Sequence, residues 1–131
     1  MQLLTDDLRA QLINNGAIPD DDHAPVVKFF NPTGAATWLI SEAMPEEPDI
    51  LFGLCDLGMG EPELGSVRLS ELEAVKVAFG LGIERDLHFV ARCPLSVYAA
   101  AARTQGAITT VPSLLDAAAA RLGKQPIPPT P

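Results

Sequence analysis

The sequence predicts an α+β fold: a small antiparallel β-meander of about four strands packed against helices, with a helical C-terminal part. Three runs of β-forming residues, 26–30, 35–43 and 50–56, are separated only by short turn-rich connections, too short for a parallel crossover. Apolar stripes at helical spacing, with start and stop signals, flank these runs on both sides. At 131 residues, 47% hydrophobic and 20% charged, the chain has the size and composition of one domain that buries its core without metal or disulfide staples. Residues 1–123 are read as that domain and 124–131 as a flexible tail.

Thr5 can cap a first helix, with Asp6 and Asp7 at its positive end and Leu8, Leu12 and Ile13 as its apolar stripe; Gly16 ends it. A charged turn from Pro19 to His23 leads into Val26-Val27-Lys28-Phe29-Phe30, closed by Asn31-Pro32-Thr33-Gly34. Thr37, Trp38, Leu39 and Ile40 mark the second strand. After the connection 44–49, Ile50-Leu51-Phe52-Gly53-Leu54-Cys55-Asp56 marks the third, with Trp38, Leu51 and Phe52 as candidates for the packed face. Residues 57–66 read as a glycine-rich loop. Ser70 and Glu73 have capping-box spacing, and Leu72, Val75 and Phe79 fall on one face of the helix they open, which Gly80 and Gly82 end. Alternation over 86–91, with Leu87, Phe89 and Ala91 on one side and His88, Val90 and Arg92 on the other, predicts a fourth strand. Pro94 suits the first turn of a helix through Val97 and Tyr98 to Gly106, and a last helix follows Pro112 to Gly123. The tail, with four prolines among eight residues, cannot form regular hydrogen-bonded structure. Its Pro126 to Pro129 spacing resembles a polyproline ligand, but a solvated tail is the plainer reading.

No stretch reaches the roughly 18 consecutive apolar residues that would cross a bilayer. Asp6 and Asp7 stand where a secretory signal carries bases. The expectation is a cytoplasmic protein with no membrane partner, its two distant cysteines, Cys55 and Cys93, reduced and buried.

Charge divides the chain. Residues 1–63 hold 12 acids and 2 bases, a balance of -10, while residues 64–131 hold 5 acids and 7 bases, a balance of +2. With only Arg9 and Lys28 to release counterions, direct nucleic-acid binding by the first half is disfavoured, and a basic protein partner matches it better.

Two clusters invite functional readings. The loop from Asp56 to Ser66 gathers glycines and carboxylates but lacks the Gly-Lys-Ser/Thr ending of a phosphate loop and the dinucleotide fingerprint. Glu61 and Glu63, two apart in extended chain, point to one side, and with Asp56 they could hold a cation or a basic group of a partner. No known metal-loop spacing is met, so the plain reading is a turn. The second cluster, Glu84, Arg85, Asp86 and His88, sets acids beside an imidazole, a general-base arrangement if they met. Side chains two apart on one strand stand about 7 Å apart, so an ion-pair cluster around Arg85 is the plainer account. Cys93 with His88 as base would need the two to meet in space. A zinc site from Cys55, Cys93, His88 and His23 lacks the paired short spacings. No metal or cofactor is expected.

Three phrases together carry a family resemblance: Pro25-Val26-Val27-Lys28-Phe29-Phe30-Asn31-Pro32 with Gly34-Ala35-Ala36-Thr37-Trp38-Leu39; Leu51-Phe52-Gly53-Leu54-Cys55-Asp56-Leu57-Gly58 through Pro62-Glu63-Leu64-Gly65; and Leu69-Ser70-Glu71-Leu72-Glu73 through Gly80 to Phe89. Over about residues 3–105 the chain resembles an uncharacterised bacterial family named only as a domain of unknown function (2958), whose members are often carried on conjugative plasmids and other mobile elements. The resemblance implies context and assigns no catalytic residue. The last helix and the tail lie outside it.

The function expected from these readings is a non-enzymatic protein-interaction or accessory protein of a mobile element, engaging a protein partner through its acidic half and the 56–66 loop. An anti-defence protein that imitates DNA charge is one form of it, although such imitators need more carboxylates. The candidate surface is Asp56, Glu61, Glu63, Glu84, Arg85, Asp86 and His88. The alternatives are a small hydrolase built on a carboxylate and histidine site, or a toxin–antitoxin component.

Overall fold

A computed structural model describes residues 2–124. Along the chain run α1 (Asp6–Gly16), β1 (Val27–Phe30), β2 (Thr37–Met44), β3 (Glu47–Asp56), β4 (Glu63–Arg68), α2 (Leu69–Ala74), a 3-10 turn (Ala78–Gly80), β5 (Glu84–Arg85), α3 (Leu95–Gln105) and α4 (Pro112–Leu122). The strands form one antiparallel sheet in the order β4-β3-β2-β1-β5, so the expected meander is present and gains a fourth consecutive strand, with β5 returning beside β1.

Alternation along β2 builds a core on each side of this sheet. Trp38 and Ile40 join Leu12 of α1, Phe29, Leu51 and Leu72 on one face. Leu39 lies between them in sequence and joins Leu54, Val97, Tyr98 and Leu115 on the face covered by α3 and α4. A bulge between Ile40 and Glu42 resets the register, and the Asn15 side chain of α1 donates to the Ser41 carbonyl at 2.9 Å, satisfying a group the bulge turns away from its neighbours. Gly53 of β3 lies against this bulge. A Cβ there would sit 2.0 Å from the Leu39 carbonyl oxygen, so no side chain fits without moving backbone.

Several expectations are corrected. The connection 44–49 is a tight hairpin with Met44 paired to Glu47, so β3 begins three residues before Ile50. The last four residues of the expected glycine-rich loop belong to strand β4, paired with β3 from Ile50↔Arg68 to Cys55↔Glu63. Ser70 and Glu73 do not form a capping box. The helix starts at Leu69, and the Asp49 carboxylate of β3 accepts both the Ser70 amide (2.9 Å) and its hydroxyl (2.7 Å).

That helix also ends early, at Ala74. Val75 turns extended, Lys76 bridges to Gly82 and the Val77 amide donates to the Leu81 carbonyl, because a Val-Lys-Val run favours extended chain. Only Leu72 of the expected stripe reaches the core. Phe79 stands 92% exposed at the tip of this hairpin with φ +63°, the one positive-φ residue other than glycine among the described residues. Residues 86–91 are not a strand. The chain turns at Asp86–Phe89, Leu87 and Val90 are exposed, and Phe89 packs obliquely on Tyr98.

The two C-terminal helices lie where expected, each closed by a left-handed glycine, Gly106 or Gly123, a conformation that L side chains rarely adopt. Lys124, first residue of the expected tail, is tied back through its amide to Ala119 and its ammonium to Asp22 at 3.2 Å. Residues 125–131 of that expectation lie outside the described residues.

Candidate functional site

The seven candidate residues fall into three places. Asp56, the last residue of β3, is 2% exposed. One carboxylate oxygen accepts the Gly58 amide at 2.8 Å and the other the Ile108 amide at 2.9 Å. It fastens the start of the glycine-rich turn and the α3–α4 connection to the end of the sheet. Both oxygens are occupied by backbone donors, which is a folding role.

Glu84, Arg85, Asp86 and His88 lie together at the opposite edge, around β5, where a cleft of about 410 Å³ is bounded also by Lys28, Phe30 and Leu87. Within it Asp86 accepts the His88 amide at 2.9 Å in a local turn and faces the Lys28 ammonium at 3.6 Å. Arg85 donates to the Gln2 and Leu3 carbonyls at 3.2 and 2.6 Å, holding the N-terminal segment to β5. His88 is exposed, and no hydrogen bond or ion pair joins its ring to a carboxylate among the described residues, so the acid–imidazole pairing needed for general-base chemistry does not form.

The register separates these two places. Glu84 faces Phe30, Phe30 faces Thr37 and Thr37 faces Asp56, so two strands intervene, about 14 Å at ordinary strand spacing. Glu63 lies one strand further still, beside Cys55. No described cleft contains Asp56, Glu63 and His88 together. Among the described residues no group of three His, Cys, Asp or Glu side chains could hold a metal ion.

Glu61 and Glu63 occupy the third place, the free edge of the sheet. Both are exposed, and no described residue pairs with either carboxylate. Exposed apolar groups flank them in the chain: Leu57 and Met59 in the turn, the latter 76% exposed, and Leu64 in β4 at 41%. No described residue hydrogen-bonds to the outer backbone of β4. At the other end of β4, Arg68 is held by Glu47 at 3.0 Å and Asp49 at 3.6 Å.

The cysteines are inert by position. Cys55 packs against the α1-side core and Cys93 within the α3–α4 core, on opposite faces of the sheet, and both are free thiols. Burial pushes the Cys93 thiol up to about 11 and the Tyr98 phenol beside it up to about 12, the reverse of what a nucleophilic thiolate needs. Burial likewise raises Cys55.

Sequence reasoning missed two carboxylates that cap helices from a distance. Asp22 accepts the amide and the hydroxyl of Ser96 in α3, as Asp49 does for Ser70 in α2. The residues preceding these helices, Pro94 and Arg68, offer no side-chain cap, and that was the legible signal: the free amides had to be met from elsewhere. At Asp22 partial burial pushes the carboxyl up, but the Ser96 hydrogen bonds and Lys124 outweigh it and hold it below its ordinary value. At Asp49 the Ser70 hydroxyl and amide, helped by Arg68, do the same.

A family model described as Protein of unknown function (DUF2958) matches residues 3–109, which take in the whole sheet, α1 to α3 and the turn after α3. No curated protein and no solved structure matches the chain.

Proposed function

This chain belongs to the DUF2958 family of proteins of unknown function, and on that premise we propose that it is a non-enzymatic interaction module that binds a basic protein partner. The observation that carries the reading is the surface around the free edge of β4. Glu61 and Glu63 have no partner there among the described residues, and exposed Leu57, Met59 and Leu64 flank them in the chain. Large exposed apolar side chains beside unpaired charge are what a binding surface presents and what a solvated turn avoids. The other first-half carboxylates divide differently. Asp22, Glu47, Asp49 and Asp56 are engaged within the fold, so the part of the -10 imbalance open to a partner is narrower than the sequence total.

The resemblance to proteins carried on plasmids and other mobile elements supports an accessory role beside such an element, in the cytoplasm of its host. The partner is then a basic surface of a host or element protein.

Binding to a partner isolated with the full chain as bait tests this reading when repeated over a salt series. Affinity is expected to fall steadily as ionic strength rises, because exposed charges are screened beyond about 8 Å at physiological salt. Affinity that does not change with salt removes the electrostatic argument.

A further inference from the structure

We propose that the partner engages β4 by strand addition: an extended segment rich in basic and apolar residues hydrogen-bonds along the outer edge of Glu63–Arg68 and becomes the sixth strand of the sheet. This deepens the interaction reading above and rests on it.

Both ends of the sheet are edges, but they differ. At the β5 edge the paired strand is two residues long, and Asp86 turns the chain away directly after it. Such brevity is one way in which proteins blunt an edge. β4 is six residues long and regular in register with β3 throughout, and its two charged residues, Glu63 and Arg68, stand at its ends. It has no proline, no bulge and no covering element among the described residues. Its row of outward amide and carbonyl groups can pair with another chain, and main-chain bonds of this kind supply affinity in strand addition.

The surroundings decide what kind of segment fits. Leu64, Ser66 and Arg68 share one face of β4, because they pair with Leu54, Phe52 and Ile50; Glu63, Gly65 and Val67 share the other. From Ser66 of β4 a groove of about 650 Å³ runs inward past Ile50 and Phe52 to Met44, Pro45 and the end of α1 at Gly16. A smaller one of about 250 Å³ adjoins it, between Ile50, Ser66, Val67, Arg68 and Glu71. An apolar side chain of an added strand would reach the larger groove over Ser66, and the next on that face the smaller one beside Arg68.

Charge selects the rest. Glu61 and Glu63 stand at the start of the edge and Glu46, Glu47, Asp49 and Glu71 around its end, where the Arg68 guanidinium is already held by Glu47 and Asp49. A basic segment is attracted to this field. A second copy of this chain would bring Glu61 and Glu63 against the same carboxylates, and like charges facing across an interface oppose pairing.

The test uses the isotopically labelled full chain and three blocked decapeptides: alternating lysine and valine, alternating glutamate and valine, and the lysine–valine peptide N-methylated at every interior amide. Nuclear magnetic resonance is expected to show shifts and slowed amide exchange at residues 63–68 with the first peptide. Affinity for the other two is expected to be about tenfold weaker or worse, because one reverses the charge and the other loses its donors. Equal binding of the methylated peptide, or shifts confined to other surfaces, overturns strand addition and leaves the basic-partner reading standing. Failure of both lysine peptides to bind overturns both.

Discussion

Single carboxylates in this chain do three different jobs, and their partners decide which. Asp56 holds two backbone amides across 2 and 52 residues, Asp22 reaches Ser96 across 74, and Asp49 reaches Ser70 across 21, whereas Glu61 and Glu63 hold nothing. Residue type made all of them visible in the sequence. Their roles were not visible, because each cap joins segments that only the folded sheet brings together. Asp22→Ala is therefore expected to destabilise the chain by about 1 kcal/mol, the ordinary loss for a helix cap, measured by urea unfolding at neutral pH. The pH dependence has a definite sign. Folding holds the Asp22 and Asp49 carboxyls below their ordinary values, so the stability they add is present above the ordinary carboxylate range and is lost as pH falls through the lowered folded values. Asp22→Asn, which keeps an acceptor but does not ionise, is expected to shallow the acid limb of the stability curve. An unchanged acid limb would show that Asp22 is not held low.

At the scale of elements, legibility followed hydrophobic pattern. The three-strand meander, α1, α3 and α4 follow from alternating or helical stripes with caps at their ends, and they stand there, β3 starting three residues earlier than its pattern. Glu63-Leu64-Gly65-Ser66 has weak strand propensity and predicts loop; pairing with β3 makes it a strand, and pairing is non-local. The stretch 69–82 failed in the other direction. Leu72, Val75 and Phe79 have helical spacing, but Val75 to Val77 prefer extended chain and the hairpin wins.

Two substitutions test these elements. Gly53→Ala is expected to cost about 3 kcal/mol or more, because its Cβ would stand 2.0 Å from the Leu39 carbonyl oxygen at the β2 bulge, where backbone must shift to admit it. Thermal unfolding reads this directly, and a melting temperature within a degree of the parent would mean that β2 and β3 are not packed at that bulge as described. Phe79→Gly is expected to change stability by less than about 1 kcal/mol, because release from the left-handed conformation offsets the added chain entropy of glycine. A large loss there would place Phe79 in a packed environment, not at an exposed tip.

For the molecule as a whole, two cores on opposite faces of one sheet leave little of it uncommitted. α4 lies beyond the family match yet buries Leu115, Ala118 and Ala119 against the same core as α3, so it completes that face. The two sheet edges carry the two candidate clusters: Glu61 and Glu63 beside β4, and Glu84, Asp86 and His88 around β5. Function turns on which edge acts. The most direct measurement compares partner affinity for Glu61→Gln/Glu63→Gln and for Glu84→Gln/His88→Ala, with unfolding curves confirming that both variants fold like the parent. The first pair is expected to weaken binding by about tenfold, as loss of two interfacial charges allows, and the second to leave it unchanged. Weakening by the β5 pair alone would contradict the account and move the functional surface to the opposite edge.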